Sequence, residues 1–162
     1  MKKIKNLAIV LLIIGMFMMF AVASGDETTS DQGSANVADD TAIGDYSVEI
    51  AGCRLAKDYE GKPVVIIKYV FQNVNGDEPA SFMFAFDDYA SQNGVGLNEA
   101  YVLSDSAKYD ESNQTKEIKK GASLDVEVAY ELNDKTTDVE VEVKELFSFD
   151  EKSITKTFKI AK

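Results

Sequence analysis

The side chains available for chemistry in this chain of 162 residues are mainly carboxylates and tyrosines, because the sequence contains no histidine. Without histidine there is no Ser-His-Asp or Cys-His nucleophile pair, no histidine-ligated zinc or haem, and no imidazole base. We therefore expect a protein that is not an enzyme and that holds no cofactor.

Four glutamates form the best candidate site for a cation. Residues 124–132 and 139–144 alternate between apolar and mostly acidic side chains, which is the pattern of two half-buried strands. If these strands pair as an antiparallel hairpin, glutamates on their outer faces oppose each other, and a divalent cation or a basic partner would relieve the repulsion. The residues concerned are Glu127, Glu131, Glu140 and Glu142. The alternative is a solvated sheet face whose charges are screened by salt.

Asp87 and Asp88 are adjacent carboxylates, and paired carboxylates are a common catalytic arrangement. Neighbouring residues of a strand point to opposite faces of the sheet, so these two side chains are not expected to converge on one substrate atom. We therefore expect ordinary polar residues at the end of a strand.

Tyrosines are the second kind of candidate site, because an exposed ring can stack on a sugar or anchor a protein partner. Tyr59, Tyr89 and Tyr109 flank predicted loops, and we expect them at an interface with a partner. Tyr69 and Tyr130 fall on the apolar side of alternating segments, and we expect them in the core.

A succession of short strands must position these side chains. The segment 63–73 is apolar on both faces, as a strand at the centre of a sheet would be. Before it, the apolar alternation shifts at Ala51–Gly52, which predicts a β-bulge. The whole chain predicts about seven strands and no amphipathic helix after residue 25. This pattern indicates an all-β antiparallel sandwich.

Two details of this arrangement can be predicted more closely. Phe82, Phe84 and Phe86 alternate with other residues, which predicts a strand with an aromatic face. Gln92-Asn93-Gly94 has the composition of a tight hairpin turn.

The first 23 residues carry the features of an export segment. Lys2, Lys3 and Lys5 precede an apolar run from residue 7 to residue 23, which ends in small residues. Cleavage between Ala23 and Ser24 would release a secreted domain, whereas an uncleaved run would remain as a membrane-anchoring hydrophobic helix. Either way, we expect an extracellular domain, secreted or tethered to the outer face of the cytoplasmic membrane.

We divide the chain into three parts: a signal peptide or N-terminal anchor (1–23), a disordered acidic linker (24–44) and the sandwich domain (45–162). Removing the first part removes three lysines, so the formal net charge changes from −11 to −14 (14 basic against 28 acidic residues). We do not expect so acidic a domain to bind nucleic acid, and we expect membrane contact only through the N-terminal segment.

Several segments together resemble a known family. They are Tyr59–Pro63 leading into Val64–Asn73, Gln92–Val95 with Leu97, Ile118–Gly121 leading into Val126–Leu132, and Val141–Phe149. This combination, over residues 45–160, resembles domain-of-unknown-function family DUF5067, a group of small exported domains of Gram-positive bacteria. The resemblance implies an immunoglobulin-like, telokin-like sandwich and no particular catalytic or binding residues. Many such proteins look like lipoproteins, whereas this chain has no lipid-accepting cysteine after its apolar run.

These observations lead to one expected function and one alternative. We expect an exported, non-enzymatic domain that binds an unknown protein or another envelope ligand through loops or an exposed sheet edge. The alternative is a secreted cation-binding or inhibitor-like protein that uses the acidic face and binds a divalent cation weakly.

Overall fold

The structure, a computed structural model, describes residues 41–103, 108–148 and 152–160. The predicted export segment, its cleavage site at Ala23 and Ser24, and most of the predicted linker lie outside these residues. Within the described ranges, no helix is long and apolar enough to cross a membrane.

The described residues form a sandwich of two antiparallel sheets. The strands are β1 Ala42–Ile43, β2 Tyr46–Lys57, β3 Pro63–Asn73, β4 Phe86–Gln92, β5 Val95–Gly96, β6 Ser123–Glu131, β7 Val139–Glu145 and β8 Ser153–Phe158. The first sheet has the order β1-β2-β3-β6 and the second has the order β5-β4-β7-β8. A helical turn, α1 (Phe82–Ala85), and a 3₁₀ turn (Glu111–Gln114) are also present. The predicted antiparallel β-sandwich is therefore confirmed.

Strand β3 lies between β2 and β6 and is covered on both faces, as predicted. Its inward side chains, including Tyr69 and Phe71, are buried in the main core between the sheets. Its outward Val64 and Ile66 are also buried, beneath a second apolar cluster outside the first sheet. The side chains of this second cluster that cover them are Ala100, Val102 and Tyr109.

The first two strands confirm the bulge and extend the domain. The register of β2 against β3 shifts between Ile50 and Gly52, where a bulge was predicted. Ile43, which composition assigned to the linker, is 1% exposed and pairs with Tyr46, so the sandwich begins at β1 and not at residue 45. Gly44 makes this turn with a φ of 60°, and a Cβ at this position would collide with the nearby carboxylate.

The strand predicted from the alternating phenylalanines is wrong. Residues 82–85 form the helical turn α1, and Phe82 and Phe86 are both buried with ring centroids 5.7 Å apart. Phe84 points away from them and is 72% exposed. A spacing of four residues fits one face of a helix as well as one face of a strand, so this short segment did not distinguish them.

The hairpin predicted between the two acidic strands is also wrong. Strand β6 pairs with β3 in the first sheet, whereas β7 pairs with β4 and β8 in the second. Residues 132–138 therefore connect one sheet to the other. Alternation shows which side chains of a strand point inward, but it does not identify the neighbouring strand.

A buried glutamine fixes the loop that makes this connection. Gln92 is 2% exposed, and its amide oxygen accepts hydrogen bonds from the main-chain N–H groups of Asn133 and Asp134. Its amide nitrogen donates to the carbonyls of Asp134 and Thr137. The two residues that follow it have positive φ values and close the β4–β5 hairpin, as predicted.

The sandwich has two ends, which we name after one residue in each. Phe86 contacts Tyr46, with ring centroids 6.1 Å apart, so β4 begins at the end where β2 begins. The Phe147 end carries the turn 44–45, residues 74–85, and residues 146–148 after β7. The Tyr59 end carries the turns 58–62, 93–94 and 132–138.

Candidate binding surfaces

The four candidate glutamates lie on opposite outer faces of the sandwich. Glu127 and Glu131 belong to β6 in the first sheet, whereas Glu140 and Glu142 belong to β7 in the second. The structure therefore does not bring the four glutamates together. Because β6 and β7 do not form a hairpin, the predicted pairs of facing glutamates are not present. In the part of the chain that the structure describes, no group of three or more aspartate, glutamate or cysteine side chains is arranged to hold a metal.

Two of these glutamates are bound by basic side chains. Glu127 lies opposite Lys68 and accepts a hydrogen bond from Arg54 at 2.7 Å (Nη2 to Oε2). A hydrogen bond from Ser153 and the ammonium group of Lys144, 3.2 Å from Glu142 Oε1, lower the pKa of Glu142. Each outer face therefore compensates part of its own negative charge.

Tyr89 lies on the outer face of the second sheet and is 47% exposed, so its side chain is accessible to solvent, as expected. It stands opposite Glu142, and together with Asp87 and Lys144 these residues line a shallow groove of about 280 Å³. Its ring passes over Gly96, where a Cβ would come within 2.8 Å of the Tyr89 hydroxyl oxygen. The missing side chain at Gly96 therefore makes room for the ring against the sheet.

Tyr109 is 5% exposed and belongs to the second cluster, which corrects the prediction that it contacts a partner. Burial raises the pKa of Tyr109 to about 12, and the Gln114 amide donates a hydrogen bond to its hydroxyl at 3.2 Å. The loop around Tyr109 folds against the first sheet, where Asn113 and Gln114 donate side-chain hydrogen bonds to the carbonyls of Asp125 and Glu127. These bonds occupy the edge of β6 and oppose its pairing with another strand.

Tyr59 packs against Tyr101 at the Tyr59 end of the sandwich. The two rings make an edge-to-face contact, with centroids 5.9 Å apart and planes inclined by 69°. The main-chain N–H of Tyr59 donates to the carbonyl of Tyr101 at 3.4 Å. Both rings remain in solvent, with 60% and 61% of their surfaces exposed. The Tyr59–Tyr101 surface thus joins two segments that are distant in sequence.

A buried carboxylate holds Tyr59 in place. Asp58 is 8% exposed and accepts hydrogen bonds from the main-chain N–H groups of Glu60 and Lys62 at 2.9 and 2.8 Å. Gly61, with a φ of 85°, donates to the carbonyl of Asp58 and closes the turn. These hydrogen bonds restrict the conformations that the turn and Tyr59 can adopt.

Tyr101 is not among the tyrosines predicted at an interface. Ala100 and Val102 are buried, whereas Tyr101 and Leu103 are exposed, so the segment alternates in a way that the sequence itself shows. The contact between Tyr101 and Tyr59 cannot be predicted from the sequence near either residue, because it depends on how two loops that are distant in sequence fold together.

The core contains a polar cluster that the alternation of the strands does not predict. Asp88 points inward from β4 while Asp87 points outward, as expected of adjacent strand residues. The Asp88 carboxylate accepts hydrogen bonds from the hydroxyl groups of Tyr69, at 3.1 Å, and Tyr130. Desolvation raises the pKa of Asp88, and desolvation together with the charge of Asp88 raises the pKa of both tyrosines. Both tyrosines are buried, as predicted, and we assign this cluster to the fold and not to ligand binding.

Comparisons with known proteins agree with this fold. A predicted lipoprotein from Staphylococcus aureus superposes with a TM-score of 0.55 and 19% identity, over 72% of this chain and 84% of that chain. A predicted lipoprotein from Bacillus subtilis superposes with a TM-score of 0.53 and 16% identity, over 71% of this chain but only 36% of that chain. No curated protein sequence matches this chain. At these identities the likeness concerns the fold alone.

The family resemblance seen in the sequence is confirmed by a direct match. Residues 21–145 match a family described as a domain of unknown function, DUF5067. This match covers more than half of the sequence, so the chain belongs to the DUF5067 family.

Proposed function

We propose that this protein is an exported, non-enzymatic module that binds a protein or another envelope ligand through the Tyr59–Tyr101 surface. The observation that carries the proposal is a pair of exposed rings that contact each other and are fixed by the turn around Asp58.

Physical chemistry favours these rings as an anchor for a partner. Tyrosine presents a large apolar face and a hydroxyl group, and aromatic residues carry much of the binding energy of known interfaces. The contact between Tyr59 and Tyr101 and the hydrogen-bonded turn restrict the rings before binding, so the entropic cost of association is reduced.

Both edges of the first sheet carry side chains that oppose pairing with an added strand, which favours binding through loops. The amide side chains of the 3₁₀ turn occupy carbonyl groups along the edge of β6. On the opposite side of the sandwich, Lys152 and Lys156 donate hydrogen bonds to the carbonyls of Ala42 and Ile50. Lysines placed at sheet edges oppose pairing with another chain.

We place the module outside the cell, either secreted or held at the outer face of the cytoplasmic membrane. The apolar run of residues 7–23 supports export, and the two similar structures are both described as predicted lipoproteins of Gram-positive bacteria. Because no cysteine lies at the end of the apolar run in this chain, an uncleaved run would itself be the anchor.

Photo-crosslinking in the living bacterium tests the proposed surface. A photoreactive phenylalanine derivative replaces Tyr59, and the same derivative at Tyr89, on the outer face of the second sheet, serves as the matched control. We expect a discrete adduct from position 59, its loss when Tyr101→Ala is added, and no equivalent adduct from position 89. An adduct from position 59 that persists with Tyr101→Ala, or no adduct at all, would contradict the proposal.

A further inference from the structure

Phe147 combines two features that are unfavourable for folding. It is 92% exposed, the largest value among the exposed large apolar side chains of the described residues. Its φ of 64° lies in the left-handed region, where a bulky residue is rarely found. A glycine or asparagine in this turn would avoid both costs. Strained residues cluster at sites of function, so Phe147 is a candidate for contact with something outside the domain.

Two further exposed apolar side chains lie at the same end of the sandwich. Phe84 and Met83, on α1, are 72% and 48% exposed. The main-chain N–H of Leu146 donates to the carbonyl of Ala85 at 2.9 Å, which places α1 beside the turn that contains Phe147. Exposed apolar surface from two separate loops therefore collects at the Phe147 end.

The N-terminal part of the chain joins the sandwich at this end too. Strand β1 begins at Ala42, whose carbonyl accepts a hydrogen bond from Lys152 at 2.6 Å. The turn that follows β1 lies against Glu145, the last residue of β7. Forty residues precede Thr41 in the sequence, and they include the apolar run of residues 7–23.

We propose that Met83, Phe84 and Phe147 form a membrane-contacting surface, which enters the interface of a lipid bilayer when the chain is held there through its N-terminal apolar run. Phenylalanine is one of the residues typical of apolar faces that insert into the boundary between lipid headgroups and acyl chains. The carboxylates of Asp45 and Glu145 lie at this end together with the ammonium groups of Lys120 and Lys152. Because the charges are of both signs, the contact depends on apolar insertion and not on attraction to anionic headgroups. This contact goes beyond the proposed function, because it lies at the end opposite the Tyr59–Tyr101 surface.

The size of the surface favours a bilayer over a protein partner. A fully buried aromatic side chain covers roughly 150–250 Å². Three protruding side chains therefore fall short of the roughly 800 Å² per partner that a stable protein interface buries. Insertion of a few side chains into a bilayer needs no such complementary surface.

Depth-dependent fluorescence quenching in the full chain, with residues 1–23 retained, tests the proposal. Cys53 is the only cysteine, so Cys53→Ala followed by Phe147→Cys gives one position for a polarity-sensitive dye. Tyr101→Cys in the same background is the matched control at the opposite end. The labelled proteins are reconstituted into phosphatidylcholine vesicles with and without brominated acyl chains. We expect the dye at position 147 to emit at shorter wavelength and to be quenched by bromine, and the dye at position 101 to do neither.

Equal emission and quenching at the two positions would overturn the proposal, and so would stronger quenching at position 101. A spectral shift at position 147 that needs added envelope proteins, and is absent in lipid alone, would assign the surface to a protein partner and also overturn it. Phe84→Cys provides a second probe of the same surface, and thermal unfolding of each labelled protein shows that it is folded.

Discussion

The hydroxyl group of Tyr130 donates a hydrogen bond to the carboxylate of Asp88 across the core of the sandwich. Tyr130 belongs to β6 of the first sheet and Asp88 to β4 of the second, so this bond links the two sheets. The hydroxyl of Tyr69 donates to the same carboxylate oxygen at 3.1 Å. The pKa of Asp88 is raised in spite of these two hydrogen bonds. The free-energy cost of desolvating the ionised carboxylate is therefore larger than the stabilisation that the two bonds give it.

We predict that Asp88→Asn changes stability in a pH-dependent way. The folded protein binds the Asp88 proton more tightly than the unfolded chain does. Protonated Asp88 therefore stabilises the folded protein below the unfolded pKa of about 3.9, and this stabilisation is lost as the pH rises through the higher pKa of the folded state. The amide of the variant does not ionise. The melting temperature of Asp88→Asn relative to the wild-type protein should therefore increase between pH 4 and pH 7.

Asp134 supplies a control of opposite sign. Hydrogen bonds from the main-chain N–H groups of Thr137 and Thr136, both 2.7 Å long, lower the pKa of Asp134. The ionised Asp134 carboxylate therefore stabilises the folded protein at neutral pH, and this stabilisation is lost as the pH falls below about 4. Asp134→Asn should destabilise the protein most at pH 7. If both variants shifted the melting temperature equally at every pH, this account of the two carboxylates would be wrong.

We predict that Gln92→Ala destabilises the whole sandwich. The variant removes four hydrogen bonds and leaves main-chain groups of the 132–138 connection without their partner. The free energy of unfolding, measured by urea denaturation, should fall by about 2–4 kcal/mol. Gln72→Ala, at an exposed position of β3, should change it by less than about 0.5 kcal/mol. Similar losses for both variants would show that the connection is not fixed by Gln92.

Features that depend on a few neighbouring residues could be predicted from the sequence. The bulge near Gly52, the buried strand β3 and the Asn93–Gly94 hairpin all follow from local alternation or turn composition. The partner of β6 and the contact of Tyr59 with Tyr101 could not be predicted, because they join distant segments. The burial of Tyr109 could not be predicted for the same reason, because it depends on its loop packing against the outer face of the first sheet.

We predict that Asn113→Ala combined with Gln114→Ala increases self-association. These variants free the carbonyl groups of Asp125 and Glu127 and so open this part of the β6 edge, whereas main-chain hydrogen bonds from residues 98–100 still cover the Ala129–Glu131 part. Each lost bond should also lower the free energy of unfolding by about 1 kcal/mol. Sedimentation velocity at increasing protein concentration measures the association. Asn98→Ala is the matched control, because Asn98 contacts Glu131 through its main-chain carbonyl, and it should remain as monodisperse as the wild-type protein.

We predict that millimolar calcium leaves the melting temperature unchanged at constant ionic strength. Calcium needs about six to eight oxygen ligands, whereas the four candidate glutamates are divided between two faces, and Arg54 and Lys144 already bind one glutamate on each. At 1 mM calcium, a site with a dissociation constant of about 10 μM would add about 2.7 kcal/mol to stability and would be detected. A rise in melting temperature that Glu140→Gln and Glu142→Gln abolish, and that Glu127→Gln and Glu131→Gln do not, would instead establish a cation site on the outer face of the second sheet.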